Sequence, residues 1–406
     1  MKFETTTIGK ICTVGDGAHA SIARVEIGVP YLTSKNFSKD GINLQQVEYI
    51  SEQDYKKHFR NESKALTKPS ESDLIFSIIG SIGGAYLYND NDRFGLSSSV
   101  AIIRPNHAKV FPLFLLYYLK SPYLQKWVDA IKSGSAQGFL SLEMIRALPV
   151  IVPSLPIQVK ISSILSDYDE LIENNNQRIK LLEIMAEEIY QEWFVRMRFP
   201  GYETAKFIDG LPEGWKKIYF RDFIKLNRGF DLPDEKIIVG EYPVVASTSI
   251  KAFHNEYKVE APCVVTGRSG SLGSVQYVNR KAWPLNTSLY VKDFKGNSPL
   301  FVYYFLRNMN LEMFNSGAGV PTLNQNHLHG VMLLLPNKII QKNFDKILTP
   351  IFEVVELLVQ KNQLLQQTRD LLLPRLLSGK LSVEHLVEEV VHLPMAAEPE
   401  VKYKEQ

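Results

Sequence analysis

The chain has 406 residues, of which 45% are hydrophobic and 22% charged, and its formal net charge at pH 7 is +2. That length predicts about two to four domains with cores of their own, and the composition is that of a globular protein rather than a disordered one. Near-neutrality leaves any nucleic-acid surface to a local patch; the two isolated cysteines, Cys12 and Cys263, offer neither a disulfide framework nor a zinc-ligand spacing. No run of eighteen apolar residues occurs, and the opening Met1-Lys2-Phe3-Glu4-Thr5-Thr6 lacks the apolar stretch of a signal peptide, so a cytoplasmic location is expected.

From Thr6 to about Val152, short β-rich runs alternate with turn residues: Leu74 to Ile79, Ala85 to Tyr88 and Ser99 to Ile103 are expected strands. One helix is predicted over Pro112 to Ile131, with proline near its start and Leu115, Leu116, Leu119 and Leu124 on an apolar face. After Pro153-Ser154-Leu155-Pro156 the pattern turns helical and stays so to about Phe199. Phe199-Pro200-Gly201-Tyr202 through Leu211-Pro212-Glu213-Gly214-Trp215 has neither period and is expected to be a linker. The same order then recurs. Cys263 to Thr266, Ser274 to Val278 and Ser288 to Val291 are expected strands, Pro299 to Phe314 a helix, and a second long helix follows Pro336.

The recurrence is a duplication. Residues 133–182 realign on 316–365 at a constant shift of 183, as in Val150-Ile151-Val152-Pro153 against Leu333-Leu334-Leu335-Pro336 and Ile157-Gln158 against Ile340-Gln341. Upstream the shift drifts to 187 at Pro112 and Pro299, and to 190 at Gly80-Ser81-Ile82-Gly83 and Gly270-Ser271-Leu272-Gly273. The repeat is too long for a solenoid module, whose period is roughly 20 to 50 residues.

Read in alternating steps of four and three, the first long helix presents Ile161, Leu165, Tyr168, Ile172, Asn175, Ile179, Leu182, Ala186, Ile189 and Trp193, a coiled-coil seam. The second presents Phe344, Leu348, Ile351, Val355, Leu358, Asn362, Leu365, Arg369, Leu372 and Leu376. Setting Asn175 against Asn362 makes the seams antiparallel, with Ile161 facing Leu376 and Trp193 facing Phe344, and the two asparagines fixing the register. Pro350 is expected to bend or restart the second helix, Pro374 to end it, and residues from about 394 to form a disordered polar tail.

The expected fold class is α+β: two β-rich globular parts joined by two long helices in an antiparallel coiled coil, with pseudo-twofold duplication. The expected boundaries are 1–153 for the first globular domain, 154–198 for the first spacer helix, 199–215 for the linker, 216–336 for the second domain, 337–379 for the second helix and 380–406 for the tail.

This arrangement resembles the specificity subunit of a type I restriction-modification system. The resemblance covers essentially 1–380 and rests on the helix openings Pro156-Ile157-Gln158 and Pro336 to Gln341, the pairs Ile164-Leu165 and Ile347-Leu348, the linker from Phe199 to Trp215, Gly134-Ser135-Ala136-Gln137 and the two glycine turns. It implies that the globular parts are target recognition domains and that the helices space them and dock methyltransferase subunits. It also implies an adenine methylated in each half-site from S-adenosylmethionine, and a translocase-nuclease using ATP and Mg²⁺, all in partner subunits. A helix of ~40 residues, about 60 Å long, would act as a ruler between half-sites on double-stranded DNA.

Loop cations and amides are the natural candidates for DNA contact, because Arg and Lys bind phosphate or guanine while Asn and Gln pair with adenine. In the first domain these are Lys35, Asn36, Lys39, Arg93 and Gln137; in the second, Arg228, Lys251, Arg268 and Arg280. The glycine turns lack the lysine and hydroxyl of a P-loop, so a tight strand connection is expected there. Neither a methyltransferase motif nor a metal site is evident; His327 and His329 stand two apart with no third ligand. Two other readings remain: a Mg²⁺-dependent nuclease, from Pro233-Asp234 followed by Glu256-Tyr257-Lys258, and a coiled-coil scaffold without nucleic acid.

Overall fold

The computed structural model describes residues 4–38, 41–60, 66–134, 138–317 and 319–384. Packing divides the chain within its long helices rather than at their ends. One unit is built from the chain up to Asn174 together with the chain from Asn362; the other runs from Asn175 to Lys361.

In the first unit, Cys12–Asp16, Val100–Pro105, Leu74–Ser77 and Ala85–Leu87 lie side by side in that order, every pair antiparallel. Val100, Ala101, Ile102 and Ile103 are all buried, which is why this central strand is apolar without alternation. A second sheet sets Val29–Leu32 between an antiparallel Glu48–Ile50 and a parallel Gly95–Leu96. A ribbon pairs Glu4–Thr7 with Pro149–Val152.

The second unit repeats all three sheets. Lys225–Arg228, Ser288–Asp293, Cys263–Gly267 and Val275–Val278 form the antiparallel sheet in the same order. Tyr242–Val245 lies between Ile250–His254 and a parallel Trp283–Pro284, and Lys216–Tyr219 pairs with Met332–Leu335. The duplication therefore extends through the stretch where the two sequences diverge most.

The helix expected over Pro112 to Ile131 is two helices, Pro112–Lys120 and Pro122–Gly134. Ser121, between them, is extended (φ −65°, ψ 147°), as the ring of Pro122 requires of its predecessor. In the second unit Pro299–Asn308 is one helix, followed by a short 3₁₀ turn at Leu311–Phe314.

The long helices are Leu155–Tyr190 and Lys338–Leu377. The second does not restart at Pro350, nor does it end at Pro374. Both prolines are exposed, and so are Lys346 and Asp370, the residues four positions earlier whose carbonyls lose their donors, so the missing bonds fall on the solvent-facing side of the helix. Phe344, Leu348 and Ile351, buried on the opposite face, hold the helix through Pro350. The stop comes at Gly379, which is left-handed (φ +71°).

The two helices run antiparallel where they meet. In the first unit Ile161 and Leu165 share a core with Leu373 and Leu376, and Arg369 Nη1 is paired with Asp169 Oδ1. Asp169 Oδ2 accepts a second bond from the Tyr117 hydroxyl at 2.7 Å, and Asn362 Nδ2 donates to the Ile172 carbonyl at 3.5 Å. In the second unit Trp193 lies against Phe344 with ring centroids 5.9 Å apart, the other end of the expected register. Asn175 and Asn362 are both buried. The positions equivalent to Tyr117, Asp169 and Arg369 are Tyr304, Phe352 and Ala186, and there the same place is apolar: the Tyr304 and Phe352 rings are 6.2 Å apart.

The first long helix ends in a π-turn at Gln191–Val195. The expected linker is pinned at both ends: Phe199 and Trp215 are buried and stacked at 6.1 Å. Between them Phe207–Ile208 and Leu211–Pro212 form a hairpin whose turn residues Asp209 and Gly210 have φ of +49° and +75°, the conformation an Asp-Gly hairpin turn needs.

Candidate nucleic-acid interface

At one end of the four-stranded sheet, the same four segments meet in each unit, tied by equivalent backbone bonds. Ile78 N–H donates to the Ser99 carbonyl at 3.0 Å, and Arg268 N–H to that of Thr287 at 2.9 Å. Leu140 N–H reaches the Ile78 carbonyl at 2.9 Å and Leu323 N–H that of Arg268 at 2.8 Å. Ser97 N–H donates to the Leu32 carbonyl and Leu285 N–H to that of Val245. A serine joins the hairpin connection to this junction in both: Ser34 N–H donates to Ser99 Oγ at 3.0 Å, and the Ser247 hydroxyl bonds the carbonyls of Ser269 and Thr287.

The glycine turns belong to the same junction and are tight strand connections. Gly80 and Gly83 have φ of +74° and +97°, Gly270 and Gly273 +86° and +84°, a conformation that suits glycine. Below them Gly84 N–H donates to the Ser77 hydroxyl at 2.8 Å, and the Thr266 hydroxyl donates to the Ser274 carbonyl at 3.0 Å. Backbone geometry is thus shared while the projecting side chains differ: Ile78 stands where Arg268 stands, and Ser98 where Asn286 stands.

The structure separates the sequence-predicted residues into three groups. Lys35, Arg228 and Arg268 lie at this junction; Lys35 is exposed, Arg228 Nε donates to the Asn286 carbonyl at 3.2 Å, and Arg268 is half-buried with no side-chain hydrogen bond or ion pair among the described residues. Arg93 and Lys251 are exposed but paired. Arg93 Nη2 is 2.6 Å from both Glu52 carboxylate oxygens, holding that carboxyl below the usual range, and its guanidinium lies over the Tyr55 ring; Lys251 is paired with Asp234.

Asn36 has an internal role instead of the expected surface one, and Arg280 is partly exposed but paired. Asn36 is buried, its Oδ1 accepting from Thr33 N–H at 3.0 Å and its Nδ2 donating to the carbonyls of Asn43 and Gln46 at 3.0 and 3.1 Å, which leaves no amide edge for a base. Arg280 is paired with Glu356 on the second long helix, so its charge is spent bracing that helix. Lys39 and Gln137 lie outside the described residues.

Gln45 and Gln46, passed over in the sequence, line the same cavity as Lys35 in the first unit. The cue was the amide-rich run Asn43-Leu44-Gln45-Gln46 between two strands. Of the loosely matching nuclease residues, Asp234 is held by Lys251, and Lys258 Nζ sits 4.5 Å from the Trp283 ring centre. Among the described residues no three His, Cys, Asp or Glu gather as metal ligands.

Comparison with known proteins agrees with the internal repeat. The chain is 24% identical to the putative type I restriction enzyme MjaX specificity subunit of Methanocaldococcus jannaschii, across 91% of each chain. It is 25% identical to the MjaIX specificity subunit of the same organism, across 67% of this chain and 70% of that one. The type I restriction-modification S subunit from M. genitalium has the same fold, with a TM-score of 0.58 at 16% identity over 93% of this chain and 96% of that chain. The type I restriction modification DNA specificity domain matches twice, at residues 1–183 and 212–367. With both repeats matched and most of its length covered, the chain belongs to the family of type I restriction-modification DNA specificity proteins.

Proposed function

We propose that this chain is the DNA-recognition subunit of a type I restriction-modification complex, binding double-stranded DNA and performing no chemistry itself. The observation that carries the reading is the junction just described: one hydrogen-bonded scaffold, present twice, presenting different side chains. Few side chains of a small domain reach base edges, so two unlike units suit a bipartite, asymmetric target. Arg268 and Arg228 in the second unit and Lys35 in the first supply the cationic and donor groups that such contacts need.

Docking of partners is supported by apolar residues left exposed on the long helices. Leu364 and Leu371 are 63% and 66% exposed, and Leu171, Leu181, Ile184 and Leu357 are also exposed. Exposed apolar helix positions suit packing against helices of another subunit. The partners in this reading are two methyltransferase subunits and restriction subunits of the translocase-nuclease type. S-adenosylmethionine, ATP and Mg²⁺ belong to those partners, which would flip and methylate an adenine in each half-site. No helix among the described residues is long and apolar enough to cross a membrane.

Methylome sequencing of a host carrying this chain with its methyltransferase partner tests the reading. A methylated motif of two unlike halves separated by unspecified bases is expected; a palindromic motif, or none, would overturn it.

A further inference from the structure

The two units depart from each other at the connection that leaves the Val29–Leu32 strand. In the second unit the equivalent connection is the short turn 246–249, Ala-Ser-Thr-Ser, with no long side chain. In the first it occupies 33–47, a stretch in which Lys39 and Asp40 lie outside the described residues. A 3₁₀ turn at Ser34–Asn36 and a two-residue pairing of Phe37–Ser38 with Gly41–Ile42 give it structure of its own.

Asn36 is the centre of that structure. Its single buried carboxamide ties Thr33, Asn43 and Gln46, the two ends of the connection and its return, while Asn43 N–H donates to the Asn36 carbonyl at 2.7 Å. Asn43 Oδ1 in turn accepts from Gln45 N–H at 2.9 Å, fixing the backbone that carries the glutamines. The result is a polar cavity whose wall includes Lys35, Gln45, Gln46 and Ser99, the last being a member of the shared junction. The side chains of Lys35, Gln45 and Gln46 make no hydrogen bond or ion pair among the described residues. A glutamine amide presents a donor and an acceptor side by side, the pattern that matches the major-groove edge of adenine.

We infer that Gln45 and Gln46 are the specificity-determining side chains of the first unit, reading base edges of one half-site, and that Asn36 is the positioning residue that holds them. This rests on the reading of the chain as a DNA-recognition subunit. The second unit, lacking the loop, reads its half-site from the glycine turn, through Arg268.

The test uses the full chain co-expressed with its methyltransferase partner and maps methylated sites for wild type, Gln45→Ala, Gln46→Ala and Asn36→Ala. Loss of a bidentate base contact lowers discrimination roughly 5- to 150-fold at one base pair. We expect each glutamine variant to relax one position of one half-site by that factor, Asn36→Ala to relax both positions, and the other half-site to stay unchanged. Because Gln45 and Gln46 are exposed, their replacement leaves folding intact even if Asn36→Ala does not fold. An unchanged motif in both glutamine variants, or equal loss in both half-sites, would overturn the assignment while leaving DNA recognition by the chain standing. Absence of any methylated motif with the wild-type chain would overturn both.

Discussion

Gln158 and Gln341 hold equivalent posts in the two units. Each is fully buried at the start of a long helix; Gln158 Oε1 accepts from Phe111 N–H at 2.7 Å, and Gln341 Oε1 from Ser298 N–H at 2.9 Å. Their Nε2 atoms donate to the carbonyls of Pro153 and Pro336 at 2.8 and 3.0 Å. Each glutamine thus ties the long helix to the strand before it and to the start of the short helix after the sheet. Replacing Gln158 by leucine leaves the buried Pro153 carbonyl and the half-buried Phe111 N–H and Lys109 carbonyl without a partner. We expect a loss of about 3 kcal/mol in urea unfolding. Hydrogen exchange should locate it in the first unit, with the helix Pro299–Asn308 still protected.

Pro350 is a cost that the second long helix carries without breaking. Pro350→Ala restores a bond to the exposed Lys346 carbonyl and removes the ring clash, so it should stabilise the second unit by about 1 to 3 kcal/mol. Thermal unfolding measures this; a lower melting temperature would mean that the proline shapes the helix in a way its packing needs.

Arg268 and Arg280 are both arginines of the second unit, yet they should behave differently. Arg268→Ala is expected to weaken or relax one half-site and leave the other untouched. Arg280→Ala removes a partly exposed pair with Glu356, costing at most about 1 kcal/mol, and should leave the recognised motif unaltered. Methylome maps of the two variants make the comparison directly.

The cysteines give a pH dependence. Burial pushes the thiols of Cys12 and Cys263 up to about 12, against roughly 8.5 for an unfolded chain. The folded state therefore keeps its protons where the unfolded state loses them, and stability present below about pH 8.5 is lost as pH rises towards 12. Alkaline unfolding should begin later in a Cys12→Ala, Cys263→Ala double variant. Both native thiols should resist a thiol reagent at pH 8 and react once urea is added.

How much of this was legible follows from where the information lies. The Ile157-Gln158 and Ile340-Gln341 match marks residues that do the same hydrogen-bonding work, so repeat arithmetic found them. The antiparallel ends, Ile161 near Leu376 and Trp193 against Phe344, follow from seam positions that must be apolar to pack. Proline rules fail twice in opposite directions: Pro122 breaks the helix expected to be continuous, and Pro350 does not break the one expected to bend or restart. The difference lies in long-range burial on the other face, which a local pattern does not contain. Asn36 reads as a surface amide in the sequence because its partner Gln46 is brought to it only by the fold, and the pairing of Arg280 with Glu356 is hidden for the same reason.

The Tyr117–Asp169–Arg369 cluster and its apolar counterpart bear on how a duplicated protein avoids mispairing with itself. Were the first long helix to pair with a second copy of itself in the same register, Ala186 would stand in the place of Arg369, and Asp169 would face a methyl group. Were the second to do so, Arg369 would meet Phe352. Two helices of common ancestry have in this way acquired the character of plug and socket, and one arginine on one of them suffices to favour pairing of the first with the second over pairing of either with its own copy.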